Sequence, residues 1–170
     1  MTQGTVERAQ FHDECNMGEL VIRAIRRGGD RPALVLDEQV ITYRAYGELL
    51  SRWIQALEAR GITKGDAIAT LSSNRPEALL TTAVAYLMGL RITWMHPLAS
   101  EDDHAYLLDD SGVKTLFVDP ETFSARAKAL QARVPGLRTL YGFGPNEFGE
   151  DFTAAAQAEH WAALGDVRLS

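Results

Sequence analysis

From residue 66 to residue 141 the chain repeats one pattern: a short apolar, β-prone run, then a helix opened by a capping residue, then the next run. The runs fall at 66–71, 91–95, 113–118 and 137–141. Asn74-Arg75-Pro76-Glu77 places a cap, a proline in the first turn and an acid at the positive end of a helix that stops near Gly89. Ser100 caps the next helix, with Asp103 as reciprocal partner, and Gly112 ends it. Asp119-Pro120-Glu121 opens a third, which Pro135-Gly136 closes. Single helices between successive strands require parallel pairing through right-handed crossovers. The order βαβαβαβ therefore predicts an α/β fold with three layers, a parallel sheet with flanking helices. The helix at 76–89 is apolar nearly all round, so it is expected to be the most buried.

A helix and a β-hairpin precede this unit. Leu20, Val21, Ala24 and Ile25 recur at helical spacing before Gly28-Gly29-Asp30. The β-prone runs 33–36 and 40–42 flank Asp37-Glu38-Gln39. Between 43 and 60, Tyr46, Leu49, Leu50, Trp53, Ile54 and Leu57 form the clearest amphipathic helix, with Thr42 placed to cap it and Gly61 to end it. Gly61 and Gly65 permit the turn into the first parallel strand, and Asp66 starts that strand beside Lys64. Residues 142–146 read as a loop and 151–164 as an alanine-rich helix. The expected organisation is a loose N-terminal arm at 1–17, an α/β subdomain at 18–141, and a connecting loop and helix at 142–170.

Composition removes several classes of function. With 17 basic and 23 acidic residues the chain carries a formal charge of −6, so it lacks the positive field that draws proteins to nucleic acid. The longest charge-free stretch, 78–90, falls short of the roughly 18 apolar residues of a membrane span. The amino terminus lacks the basic start and apolar middle of a secretory signal, and the single Cys15 cannot close an internal disulfide. A cytoplasmic protein is expected.

Ligands of open parallel sheets collect at the carboxyl ends of the strands, here Ser72-Ser73-Asn74, Met95-His96-Pro97 and Asp119-Pro120. The serines could present hydroxyls and helix amides to an anion, yet the loop lacks the glycines and lysine of a phosphate cradle, and Asn74 reads as a cap. His96 could line a pocket, but no Cys, Ser or acid at motif spacing makes it part of a triad. Gly142-Phe143-Gly144 follows a strand as a dinucleotide turn does, but Pro145 and Glu147 spoil that pattern. His12, His96, His104 and His160 are scattered, and the acid pairs Asp102-Asp103 and Asp109-Asp110 read as solvated helix ends, so no metal site is predicted. Trp53, Trp94 and Trp161 read as core or interface aromatics. Lysine occurs only as Lys64, Lys114 and Lys128, none beside a glycine-rich loop. The architecture is that of an enzyme, and no catalytic or cofactor-binding residue is visible.

The stretch 32–120 resembles the amino-terminal part of the AMP-forming acyl-CoA synthetases, members of the adenylate-forming superfamily. The resembling residues run in order. They are Ile41-Thr42-Tyr43, Leu49, Ala56-Leu57 and Gly61-Ile62-Thr63-Lys64-Gly65-Asp66, then Leu71-Ser72-Ser73-Asn74-Arg75-Pro76-Glu77, Gly89, His96-Pro97-Leu98, and Tyr106-Leu107-Leu108-Asp109-Asp110-Ser111-Gly112-Val113. His96-Pro97, where many members have Asn-Pro, is similar to bacterial fatty-acyl-CoA ligases. The resemblance implies a ligase using ATP, Mg²⁺ and coenzyme A on a carboxylic acid, expected to be a fatty acid. The phosphate loop, the acids for Mg²⁺ and ribose and the catalytic lysine of such enzymes are not among residues 1–170, and the phosphate loop is expected to follow them. The segment alone is expected to be inactive, with Trp94 and His96 as candidates for the wall of an acyl pocket, and to self-associate through faces left uncovered. The alternatives are a stand-alone, non-catalytic α/β module binding a ligand or partner, and an adenylation domain serving a carrier protein.

Overall fold

Side-chain caps set where the first helices begin. In the computed structural model, which describes residues 16–36 and 38–160, the Asn16 side chain accepts from the Glu19 amide at 2.8 Å and opens α1 (Met17–Gly28). The expected loose arm is thus corrected at its end. Asn16 and Met17 start a helix, because an Asx cap satisfies an amide that would otherwise lack a partner. Residues 1–15 lie outside the described residues. The hairpin β1 (Pro32–Leu36) and β2 (Gln39–Thr42) follows, paired antiparallel, and Thr42 Oγ1 accepts from the Ala45 amide to start α2 (Tyr43–Ala59). Gly61 and Gly65 take positive φ of 73° and 88° in the turn that follows.

The alternating unit appears in the expected order: β3 (Ala67–Leu71), α3 (Pro76–Met88), β4 (Arg91–Met95), α4 (Glu101–Asp110), β5 (Thr115–Val118), α5 (Pro120–Arg133) and β6 (Thr139–Gly142). Asp66 is outside the first ladder, because its carboxylate accepts from the Thr63 amide at 2.8 Å and closes the preceding turn. Val113 and Leu137 also precede their strands. Ser100 and Asp103 form the reciprocal capping box, and Asp119 accepts from the Glu121 amide to cap α5. Asn74 does not cap α3. The N-cap position belongs to Arg75, which makes no side-chain cap bond, and Pro76 leaves one fewer amide to satisfy.

Two elements complete the described chain, β7 (Glu150–Asp151) and α6 (Phe152–Ala158). Nothing in the sequence pattern marks β7, since two adjacent acids carry no strand signal. Its position comes from Asn146, whose Oδ1 accepts from the Phe148 and Gly149 amides and folds 143–149 back, so that Glu150 pairs with Tyr141. The helix expected at 151–164 ends at Ala158, where Glu159 turns extended; 161–164 lie outside the described residues.

The sheet order is β4-β3-β5-β6-β7, and every pair is parallel. One face is covered by α2, α3 and α6 with α1 against them, the other by α4 and α5. The two cores differ in chemistry. Trp53, Phe117, Tyr141, Phe143 and Phe152 cluster on the first face, with Trp53–Phe152 and Phe117–Phe152 meeting edge-on at 5.0 and 5.2 Å. The second is aliphatic, built on residues such as Leu71, Met95, Leu108, Leu116 and Leu130. As expected, α3 is heavily buried, with seven of its thirteen residues inside, though Leu79 and Tyr86 stay exposed. Among the described residues no helix is long and apolar enough to cross a membrane.

Candidate functional site

The strand order marks one place on this sheet as special. The chain leaves β3 toward the α3 face and leaves β5 toward the α5 face, so a crevice opens between the carboxyl ends of these neighbouring strands, the usual ligand position of an open parallel sheet. Residues of this molecule fill that crevice. Asp119, 1% exposed, accepts from Arg75 Nη1 at 2.9 Å and from the Ser73 hydroxyl. Arg75 Nη2 also donates to the Phe143 carbonyl at 3.3 Å, so one guanidinium spans the ends of β3, β5 and β6. Glu77 and Glu121 approach the same guanidinium at 3.3 and 3.5 Å.

Burial pushes the Asp119 carboxyl up. The Ser73 hydroxyl, the Arg75 charge and the Glu121 amide outweigh it and hold the group below the usual carboxylate range. A carboxylate already neutralised in this way does not fit Mg²⁺, and a loop whose hydroxyls are spent within the protein does not fit a phosphate. Ser72 donates to the Ser73 carbonyl at 2.8 Å, Ser73 to Asp119, and the acid Glu77 stands in the first turn of α3. Among the described residues no group of three His, Cys, Asp or Glu is placed to hold a metal. The cluster is a latch that ties three strand ends together.

Beside the latch lies an open groove. Trp94, at the end of the edge strand β4 and 46% exposed, forms one wall of a cavity of about 210 Å³. The hairpin supplies Leu34, Val35 and Leu36, and α3 supplies Ala78 and Leu79; Ser73, Asn74 and Arg75 line its latch side. Under the α3 side, the Tyr46 hydroxyl donates to the Leu79 carbonyl at 3.2 Å, and burial pushes this phenol up to about 12.

His96 is exposed and is not among the residues lining that cavity; its Nδ1 accepts from the Leu98 amide at 3.2 Å. Of the other residues singled out from the sequence, Trp53 and Phe143 are core, and Gly142 ends β6. Cys15, His12 and Trp161 lie outside the described residues. The structure therefore joins Ser73 to Asp119, as neighbouring strand ends should be, and sets Trp94 apart from His96. Arg75 was missed as the joining residue. Its signal was a cation at the mouth of one helix and an acid at the mouth of another, and only the strand order makes them neighbours.

Three comparisons with known proteins bear on this arrangement. Residues 21–168 match the family model described as AMP-binding enzyme. The chain is 39% identical over 143 residues to the medium/long-chain-fatty-acid–CoA ligase FadD8 of Mycobacterium tuberculosis, covering 84% of this chain and 24% of that protein. It is 32% identical over 108 residues to the 3-hydroxybenzoate–CoA/4-hydroxybenzoate–CoA ligase of Thauera aromatica, covering 61% and 20%. The chain thus spans about a quarter or less of the length of these curated relatives. The luciferase-like enzyme of the nonluminescent mealworm Zophobas morio has the same fold, with a TM-score of 0.83 over 93% of this chain and 37% of that one at 17% identity. The alternating strands and helices, the crevice at 73–75 and 119 and the Trp94 groove all fall inside the matched residues, and the chain belongs to the AMP-binding enzyme family.

Proposed function

We propose that these residues form part of an enzyme that joins a fatty acid to coenzyme A at the expense of ATP, working in the cytoplasm with Mg²⁺. The carboxylate oxygen would attack the α-phosphorus of ATP, forming the acyl–phosphate bond as pyrophosphate leaves. The coenzyme A thiol, losing its proton, would then attack the acyl carbon and expel AMP. The observation that carries this reading is the 39% identity to a fatty-acid–CoA ligase across most of the chain. In this reading the described residues do not handle the nucleotide: the crevice that could have done so is occupied by Arg75 and Asp119. Their part is the wall of the acyl site: Trp94 stands in the groove, and the loop at His96, outside the lining, continues from the strand that carries it. The apolar lining of the groove, Leu34, Val35, Leu36 and Leu79, supports an alkyl chain as its occupant. The same apolar face is where the 170-residue chain would self-associate when taken alone.

The test is pyrophosphate exchange into ATP by the full-length protein with a series of acids. Exchange should depend on Mg²⁺ and on a fatty acid, rise with chain length into the medium or long range, and be weak with hydroxybenzoates. Exchange stimulated by no carboxylic acid would remove the ligase reading, and a preference for hydroxybenzoates would remove the fatty-acid assignment.

A further inference from the structure

The loop that joins β4 to α4 has little to hold it. His96, Pro97 and Leu98 are exposed, Leu98 by 89%, so no burial of apolar surface fixes their path. What does fix it is polar. The His96 carbonyl accepts from the Ala99 amide at 3.0 Å and meets Nε2 of His104 at 2.8 Å. His104 itself is 1% exposed, on the inner side of α4. Its other ring nitrogen, Nδ1, lies 2.9 Å from Nη1 of Arg126 on α5, and the same Nη1 donates to the Ala99 carbonyl at 3.3 Å.

This contact decides the tautomer. A guanidinium has only donors, so the nitrogen it meets must accept, and the ring hydrogen must sit on Nε2, where it donates to His96. Glu101, 3.7 Å from Arg126 Nε, orients the guanidinium from the other side, and Asp103 is occupied by the Ser100 cap. The ring therefore links α5, through Arg126, to the backbone two residues beyond Trp94.

We propose that His104 is a positioning residue: as the Nε2–H tautomer it clamps the 96–99 loop and so sets the β4 side of the Trp94 groove. The consequence for an acid substrate rests on the ligase reading above; the clamp does not. His104 reacts with nothing in this role. It adds a buried side-chain bond to a loop otherwise held by its own turn and by the Arg126–Ala99 contact, and through that loop it steadies the end of the edge strand that carries Trp94.

The experiment uses the full-length protein and two near-isosteric variants that divide the ring's two bonds. His104→Gln keeps a donor at the Nε2 position, whereas His104→Asn keeps only an acceptor toward Arg126. The Ala99 amide, bonded within the clamped turn, should exchange with deuterium about tenfold faster or more in His104→Asn, the change expected for a lost buried hydrogen bond, and stay near the unmodified rate in His104→Gln. The KM for a medium-chain acid should rise severalfold in His104→Asn with kcat little changed, and be rescued in His104→Gln.

The nitrogen-15 spectrum of the unmodified protein supplies a readout that survives if a variant does not fold: it should show one bare and one protonated ring nitrogen, with the hydrogen on Nε2. A hydrogen on Nδ1, or an Ala99 exchange rate indifferent to His104→Asn, would overturn the clamp. Faster exchange with an unmoved KM would keep the clamp and overturn its link to the acid. Absence of any ligase activity would overturn the functional reading, while exchange and spectrum would still decide the clamp.

Discussion

The crevice between β3 and β5 and the groove beside β4 share the loop 73–75, yet they are opposites. One sits where strand order directs a ligand and is filled by the chain's own Arg75–Asp119 pair. The other sits at the sheet edge, is lined by Trp94, Leu36 and Leu79, and is open. Topology nominates a site, and side-chain occupancy decides it. A carboxylate that already accepts from an arginine, the Ser73 and Thr122 hydroxyls and the Glu121 amide has its acceptor positions taken. A half-exposed tryptophan between a hairpin and a helix has nothing but capacity.

The comparison breaks most visibly at Arg75. Removing the guanidinium leaves Asp119 buried without its counter-charge, so Arg75→Ala should lower the unfolding free energy by about 3–5 kcal/mol in urea denaturation. The double variant Arg75→Met with Asp119→Asn should recover most of that loss. A cost for Arg75→Ala near zero would mean that the crevice is not held shut by this pair.

Acid probes the same latch more gently. The Asp119 carboxyl is held below its ordinary value, so the ion pair stabilises the fold at any pH above the unfolded carboxylate range, and that contribution disappears as pH falls through the lower, folded value. Stability measured from pH 6 downward should decline, and Asp119→Asn should flatten part of the decline. Glu150, held down by the Arg60 guanidinium, should account for a further part that Asp119→Asn leaves in place.

On the groove side the effects on stability should be small. Trp94→Ala removes a side chain already half in water, so it should cost about 1 kcal/mol in thermal unfolding while changing the KM for acid more than kcat. Tyr46→Phe should cost about 0.5–1.5 kcal/mol through the lost bond to the Leu79 carbonyl and abolish a phenol titration near pH 12. A Trp94→Ala penalty as large as that of Arg75→Ala would erase the contrast between latch and groove.

Much of this fold was legible before any coordinates. Thr42, Ser100 and Asp119 announce their helices because a cap is a local event, decided within four residues. Asn74 shows the limit of the same rule. It has the right side chain in the right place, but the helix starts one residue later, and the loop is committed instead to Ser73 and Arg75. The edge strand β7 was illegible for the converse reason. Glu150 and Asp151 have no strand character of their own and pair only because Asn146 folds the preceding loop back. The candidate site divides in the same way. Trp94, otherwise one of three core or interface aromatics, became a candidate only through the family resemblance, whereas the role of Arg75 depends on an acid 44 positions away.

Which segments are strands and which are helices, where most helices begin, and that the sheet strands run parallel all follow locally from periodicity, capping and the length of the connections. Which strand ends are neighbours, and so which buried aspartate meets an arginine, which histidine meets a loop carbonyl and which tryptophan faces a cavity, comes from the packed sheet. Coulomb attraction and hydrogen bonding act over a few ångströms of space, and only the folded strand order sets which distant residues come within that reach.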